Sequence, residues 1–429
     1  MKSIAERIDE MSIGYACLVV GVPETNMRKV IKKNATEEKL NEVTLHNLLA
    51  LEKMIDYNIE NDIKLYRISS DVIPFGSSPV NSLPWWDIFK EDFERIGRKI
   101  AESGMRVSFH PGQYTVLNSP TEETVARAVE DLEYHNRVLK CLGVNNEHKI
   151  VLHIGGVYED KEVASQRFID NFQKLDTAIK QRLIIENDDR LYTIEDVLSI
   201  AKKIHIPVVY DNLHHAVNPS GNLGSDAEWI LEAGKTWKEE DGKQKIHYSQ
   251  QALDKRSGAH TATIYLTPFM DFYNSLYDQT IDIMLEVKDK NVSAMKCINA
   301  TRLNPAIKYL EKEWMRYKYL VLEHSPEHYQ HIRTLLKEKQ TYPVEQFYQL
   351  IEESLEEEAQ RGNTINAAQH VWGHLKEKVD EKERRAFERK LMAFQEEKTT
   401  VQSLKKQLMT LAKKYDERYL LQSLFLDAG

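Results

Sequence analysis

Six residues able to bind a metal ion recur at one relative place along the chain: His110 in "SFHPGQY", His153 in "LHIGG", Glu186 in "IENDD", Asp211 in "YDNLHH", His247 in "KIHYS" and Glu286 in "MLEVK". Each ends a short apolar run or lies just beyond it. Two more stand nearby, His214 three residues after Asp211 and His260 thirteen after His247. Imidazoles and carboxylates without thiolates suit manganese, zinc or iron rather than calcium or magnesium. Eight such groups are too many for one ion, and with some carboxylates bridging they would serve two or three. A lone histidine after a strand is ordinarily a packed loop residue. Six separate runs presenting ligand-type residues at the same register are hard to obtain from packing, because barrel interiors favour branched apolar side chains.

The runs that must position these residues number eight: "SIGYAC", "IKLYRIS", "MRVSFH", "KIVLHI", "RLIIEN", "IPVVYD", "KIHYS" and "DIMLEV". They alternate with longer amphipathic stretches, which is the pattern of parallel strands with covering helices. Eight such units close into a (β/α)8 TIM barrel, whose active site sits at the C-terminal ends of the strands. All six candidates fall at that end. After Pro305 the chain becomes highly charged and poor in glycine, with helical spacing such as Phe347, Leu350, Ile351 and Leu355. The expectation is a barrel domain over 1–305 and an all-α domain over 306–429. Acidic and basic residues balance in the second part, so the net charge of -9 belongs to the first.

That charge argues mildly against general nucleic-acid binding, which rests on neutralising phosphates. Carboxylates gathered as metal ligands are neutralised in the loaded protein, so local residues decide. Cys17, Cys141 and Cys297 are isolated, an odd number with no CxxC spacing, so they suggest neither a disulfide framework nor a thiolate zinc site. No apolar run is long enough to span a bilayer, and "MKSIAERIDE" carries charge where a signal peptide is apolar. The expected location is cytoplasmic, without a membrane partner, and the expected state is a monomer.

In order and spacing, the six quoted motifs resemble the UV damage endonucleases, DNA-repair enzymes related to apurinic-site nucleases of the endonuclease IV type. The resemblance covers about residues 12 to 300. It implies a metal-dependent barrel that cuts duplex DNA immediately 5′ of a pyrimidine photoproduct or an abasic site, leaving 3′-hydroxyl and 5′-phosphate ends. By position it implies one ion on His110, His153 and Glu186, a second on Glu186, Asp211, His247 and Glu286, and a third on His214 and His260. The cofactor reading is two or three divalent ions, manganese first, with zinc or magnesium as alternatives. Glu186, Lys245 and Glu286 form the implied catalytic set, with Lys245 carboxylated. The chain departs from the pattern at Gly258, where the apurinic-site nucleases carry an aspartate, and at Val19, where the family tends to have asparagine.

Pro111 and Gly112 break the chain after His110 and carry Gln113 and Tyr114 onto a loop beyond the ligands. The resemblance makes them the pair that probes DNA, tyrosine filling a vacated stack and glutamine bonding orphaned base edges. Tyr15 and Arg67 are the other implied DNA contacts, Arg67 through a phosphate or else paired internally with Asp71. Asn187 and Asp188 are read as orienting the ligands. Trp85 and Trp86 read as packing between helices, and His370 and His374 as part of a packed helix face. The helical domain resembles a bacterial domain of unknown function, read as a module for a protein or DNA partner. Two other functions compete. A sugar isomerase of the same barrel class would use the Glu, Asp, His and Glu set but not the four further histidines, and a non-catalytic lesion binder would need a defective site.

Overall fold

All eight apolar runs form strands, and every pairing among them is parallel. The structure, a computed structural model, describes residues 11–222 and 224–427. The charged N-terminal stretch lies outside the described residues. The strands are β1 (Ile13–Ala16), β2 (Leu65–Arg67), β3 (Arg106–Ser108), β4 (Ile150–His153), β5 (Leu183–Glu186), β6 (Val208–Val209), β7 (Lys245–Tyr248) and β8 (Asp282–Leu285). One sheet has the order β3-β2-β1-β8-β7 and the other β4-β5-β6. Single parallel bridges, Phe109 to Ile150 and Asp211 to His247, join the two and complete the ring. This is the expected (β/α)8 barrel.

Side chains two residues apart on a strand share a face, so the barrel interior is built in layers. Beneath His153, Glu186 and Asp211 lie Val151, Ile184 and Val209, which form a small apolar cluster. Beneath His247 lies Lys245, and beneath that register the charges gather again. Arg106 pairs with Asp282 at 3.1 Å and Lys149 with Asp241 at 2.5 Å, closing the floor with buried ion pairs. Gly14 belongs to the middle layer, where a Cβ would lie 2.0 Å from the Leu65 carbonyl oxygen. Only glycine lets β1 approach β2 there.

Local sequence sets the entry to each helix. Thr36 accepts from Lys39 N ahead of the helix Glu37–Glu60, and Thr193 and Asp196 form a capping box ahead of Ile194–Ile204. Asp211 caps the short helix Asn212–Val217 by accepting from His214 N at 2.8 Å, so one carboxylate both starts a helix and aims into the barrel. Trp85 is buried against Phe93 and Tyr134, which makes it a packing residue.

The chain divides into two compact units, and the second comprises 20–23, 265–270 and the residues from Lys296 onward. Its C-terminal part is all α, from Ile307–His324 to Arg418–Leu421. Its core joins Leu322, Ala368, Val371, Phe387, Leu404 and Leu408, with Trp372 stacked on Phe387 at 4.1 Å. Buried Glu323 is satisfied by Lys405 at 2.6 Å and Thr364 at 3.2 Å. His374 bonds the Tyr319 hydroxyl at 2.7 Å. Among the described residues no helix is long and apolar enough to cross a membrane, and all three cysteines are free.

Candidate metal centre

Glu186 is fully buried at the end of β5, and histidines from four other segments converge on it. His110 Nε2 lies 2.9 Å from Oε2 and His247 Nδ1 2.7 Å from Oε1, both within hydrogen-bond reach. His153 Nε2 and His214 Nδ1 stand at 3.8 and 3.6 Å. Glu286 extends the cluster from β8, 3.4 Å from His247 and 3.9 Å from His260. Donor atoms of three sets lie within 4.8 Å of one another: His110, His153 and Glu186; Glu186, Asp211 and His247; His110, His247 and Glu286. All eight residues named as ligands are therefore neighbours, with Glu186 at the centre and His260 at the margin.

The donor set fits divalent cations. Asp211 Oδ2, His247 Nε2 and His153 Nδ1 are buried without a hydrogen-bond partner in the protein. A buried polar atom left unpaired costs about 1 to 3 kcal/mol, so each of these atoms favours an external partner, and Asp211 Oδ2 belongs to a carboxylate already grouped with Glu186 and His247. The candidate donors are also held from behind. Asn187 exchanges two bonds with the Asp211 backbone, at 2.9 and 3.1 Å, and its carbonyl lies 2.9 Å from His214 Nδ1. Asp188 accepts from Arg190, Leu191 and Tyr192 N, which fixes the loop after β5. Asn212 and Ser249 exchange bonds that tie the ends of β6 and β7.

Burial disfavours the Glu186 carboxylate, but the surrounding imidazoles, His247 and His153 foremost, hold it well below the usual carboxylate range. Burial raises Asp211 to about 6, with Glu186 and Glu286 adding to the rise. Burial opposes the His214 cation, yet Asp211, Glu186 and Glu286 overcome that and raise it to about 9. Burial lowers His153 to about 4. Lys245 lies in the layer below; burial, then Arg106 and Arg67, hold its ammonium well below the lysine range.

Gln113 and Tyr114 occupy the centre of a tight turn closed by Thr115 N to Gly112 O at 3.0 Å, and Thr115 Oγ1 anchors the turn to Asp131 at 2.7 Å. Tyr114 is 83% exposed. Both line a cleft of about 1200 Å³ that His153 also lines, together with Arg127, Tyr158, Arg190 and Arg256. None of those last four stood out in the sequence, because lone arginines and a lone tyrosine carry no spacing signal.

One DNA contact, Tyr15, requires correction, and so does the internal partner expected for Arg67. Tyr15 is fully buried, and its hydroxyl donates to Asn58 on the helix Glu37–Glu60 at 2.6 Å, so its place on β1 turns it toward the helix layer and away from the cavity. Arg67 faces the cavity but pairs with Glu286 at 2.5 Å, whereas Asp71 pairs with Lys29 at 3.1 Å. Val19 is buried as well.

The chain is similar to several known proteins. The UV DNA damage endonuclease of Clostridium perfringens (strain 13 / Type A) is 40% identical over 332 residues, 76% of this chain and 80% of that protein. That of Bacillus mycoides (strain KBAB4) is 35% identical over 273 residues, 63% of this chain and 85% of that protein. The crystal structure of SacUVDE superposes with a TM-score of 0.64 at 36% identity, covering 68% of this chain and 98% of that one. Residues 318–428 match the family described as a protein of unknown function, DUF1722. Residues 12–318, which hold every strand of the barrel and every ligand candidate, match the family model described as UV-endonuclease UvdE, and the chain belongs to that family.

Proposed function

We propose that the protein incises duplex DNA immediately 5′ of ultraviolet photoproducts and abasic sites, using divalent metal ions held by His110, His153, Glu186, Asp211, His214, His247, His260 and Glu286. The supporting observation is the buried Glu186 carboxylate among converging imidazoles, beside a cleft fronted by Gln113 and Tyr114. Ions bound there would make water a nucleophile near neutral pH and offset charge on the leaving oxygen. Around them the chain's own groups have distinct tasks. Asn187 and the Asp211 helix cap hold the donors in place, Arg67 neutralises the outer side of Glu286, and the turn at Gly112–Thr115 presents the probing pair. Departure of the 3′ oxygen leaves a 3′-hydroxyl and a 5′-phosphate, ends suited to a repair polymerase. The barrel over 1–305 carries this chemistry, and the helical part binds a further partner.

The test is incubation of metal-free protein with manganese, magnesium or zinc and an end-labelled duplex bearing one photoproduct. Nicking on the 5′ side with manganese supports the reading. Retention of the duplex without a nick under every metal would make the protein a lesion binder, and ketose or aldose turnover without nicking would make it an isomerase.

Metal uptake should depend on pH in a defined sense. An incoming ion displaces protons from ligands, so affinity rises as those protons leave. With His214 at about 9 and Asp211 at about 6, binding displaces one proton between those values and two below the lower one. Chelator competition should therefore give affinity rising about tenfold per pH unit in the upper window and more steeply beneath it. A flat profile would remove His214 and Asp211 from the ligand set.

Burial and the neighbouring arginines favour the neutral form of Lys245, and a neutral amine adds carbon dioxide to give a carbamate and a proton. Protein equilibrated with ¹³C-bicarbonate should show a carbamate resonance that Lys245→Arg lacks. Its absence from wild-type protein would leave Lys245 as a buried amine.

A further inference from the structure

The loop after β4 places one aromatic ring on the cleft wall. Tyr158 follows His153 by five residues, lines the cleft and is 39% exposed. The backbone around it is strained. Tyr158 and Glu159 both have left-handed φ, 47° and 76°, a conformation uncommon outside glycine that persists only where surrounding structure enforces it. The enforcement is visible. The Gly156 carbonyl accepts from Asn118 Nδ2 at 2.6 Å and from the Tyr192 hydroxyl at 3.2 Å. The Asn118 carbonyl accepts from Arg167 Nε at 2.9 Å, and the Arg167 guanidinium stands 5.5 Å from the centre of the Tyr158 ring. The ring leans on Gly156, where an added Cβ would lie 2.9 Å from Tyr158 Cζ. A surface tyrosine serving only as loop filler needs none of this pinning.

We infer that Tyr158 is a stacking platform for the pyrimidine bases of the lesion, and so a specificity residue separating damage that retains bases from damage that has lost one. The inference rests on the proposed incision activity. Tyr114, at the tip of its turn, is free to enter the gap left in the helix, a task common to every lesion that opens one. Tyr158 lies on the cleft wall over Gly156 and beside the Arg167 guanidinium, away from the tip that carries Tyr114, so it meets what leaves the helix. An abasic nucleotide brings no ring to stack, whereas a pyrimidine photoproduct brings two.

The experiment is single-turnover incision of a labelled photoproduct duplex by the manganese-loaded full chain, titrated with enzyme and competed with unlabelled abasic or intact duplex. Tyr158→Ala should raise the half-saturation concentration for the photoproduct about tenfold, the order expected for loss of one base–aromatic stack. Competition by abasic and intact duplexes should stay at wild-type strength. Tyr158→Phe should match wild type, and Gly156→Ala, which displaces the ring without removing it, should reproduce the photoproduct defect. An unchanged photoproduct constant in Tyr158→Ala, or an equal loss for the abasic competitor, overturns the assignment. Failure of the wild-type protein to incise the photoproduct at all would instead remove the function on which the assignment rests.

Discussion

Glu186→Gln is expected to abolish incision and deplete bound metal while leaving the barrel folded. Glutamine keeps the shape of glutamate but not its charge, and its amide nitrogen would meet an imidazole N–H where a carboxylate oxygen now accepts. His110 and His247 both lie within hydrogen-bond distance of that carboxylate. Removing one partner from a buried charge cluster costs about 3 to 5 kcal/mol. Metal affinity should therefore fall by roughly two to four orders of magnitude, each 1.4 kcal/mol being about tenfold. Chelator competition gives the affinity, circular dichroism the fold and an end-labelled duplex the rate. A variant that nicks at the wild-type rate with full metal content would show that Glu186 does not link the ions.

Replacing Gln113 and Tyr114 together by alanine should separate recognition from cutting. Tyr114 is so exposed that its loss leaves no cavity, and the turn keeps its own bond from Thr115 to Gly112 and its anchor on Asp131. Stacking on aromatic side chains is worth about 1 to 3 kcal/mol per base, so lesion affinity should drop by one to two orders of magnitude. Affinity for intact duplex should hardly move, since phosphate contacts carry no lesion information. Metal content should be unchanged. If the double variant keeps the wild-type ratio of photoproduct to intact binding, damage is sensed elsewhere in the cleft.

The barrel was legible because each strand carries its own apolar run, and the clustering of the His, Asp and Glu side chains because six runs end at one register. Side-chain direction was harder to read. Tyr15 matches a family position, but one residue of parity decides between cavity and helix layer, and the strand "IGYA" is buried on both faces. Arg67 faced the right way with the wrong partner, because its mate Glu286 lies 219 residues distant and only ring closure brings β2 within reach of β8. The cleft wall was invisible for a related reason. Tyr158, Arg190 and Arg256 come from three loops, and nothing in any one of them signals the other two.

The two seams of the ring would give a metal centre here a mechanical role. Sheet pairing is continuous within five strands and within three, but between these groups the ring is held by one bridge at Phe109 and Ile150 and one at Asp211 and His247. The ligand sets straddle those seams. His110 stands on one side and His153 and Glu186 on the other, while Glu186 and Asp211 face His247 across the second. Ions held in these positions would act as rivets through a split hoop, bracing it where the backbone ladder is thinnest. Stripping them should loosen the seams first, so the amides of Val151 and His247, which donate across the joints to Phe109 and Tyr210, become the early reporters of an emptied centre.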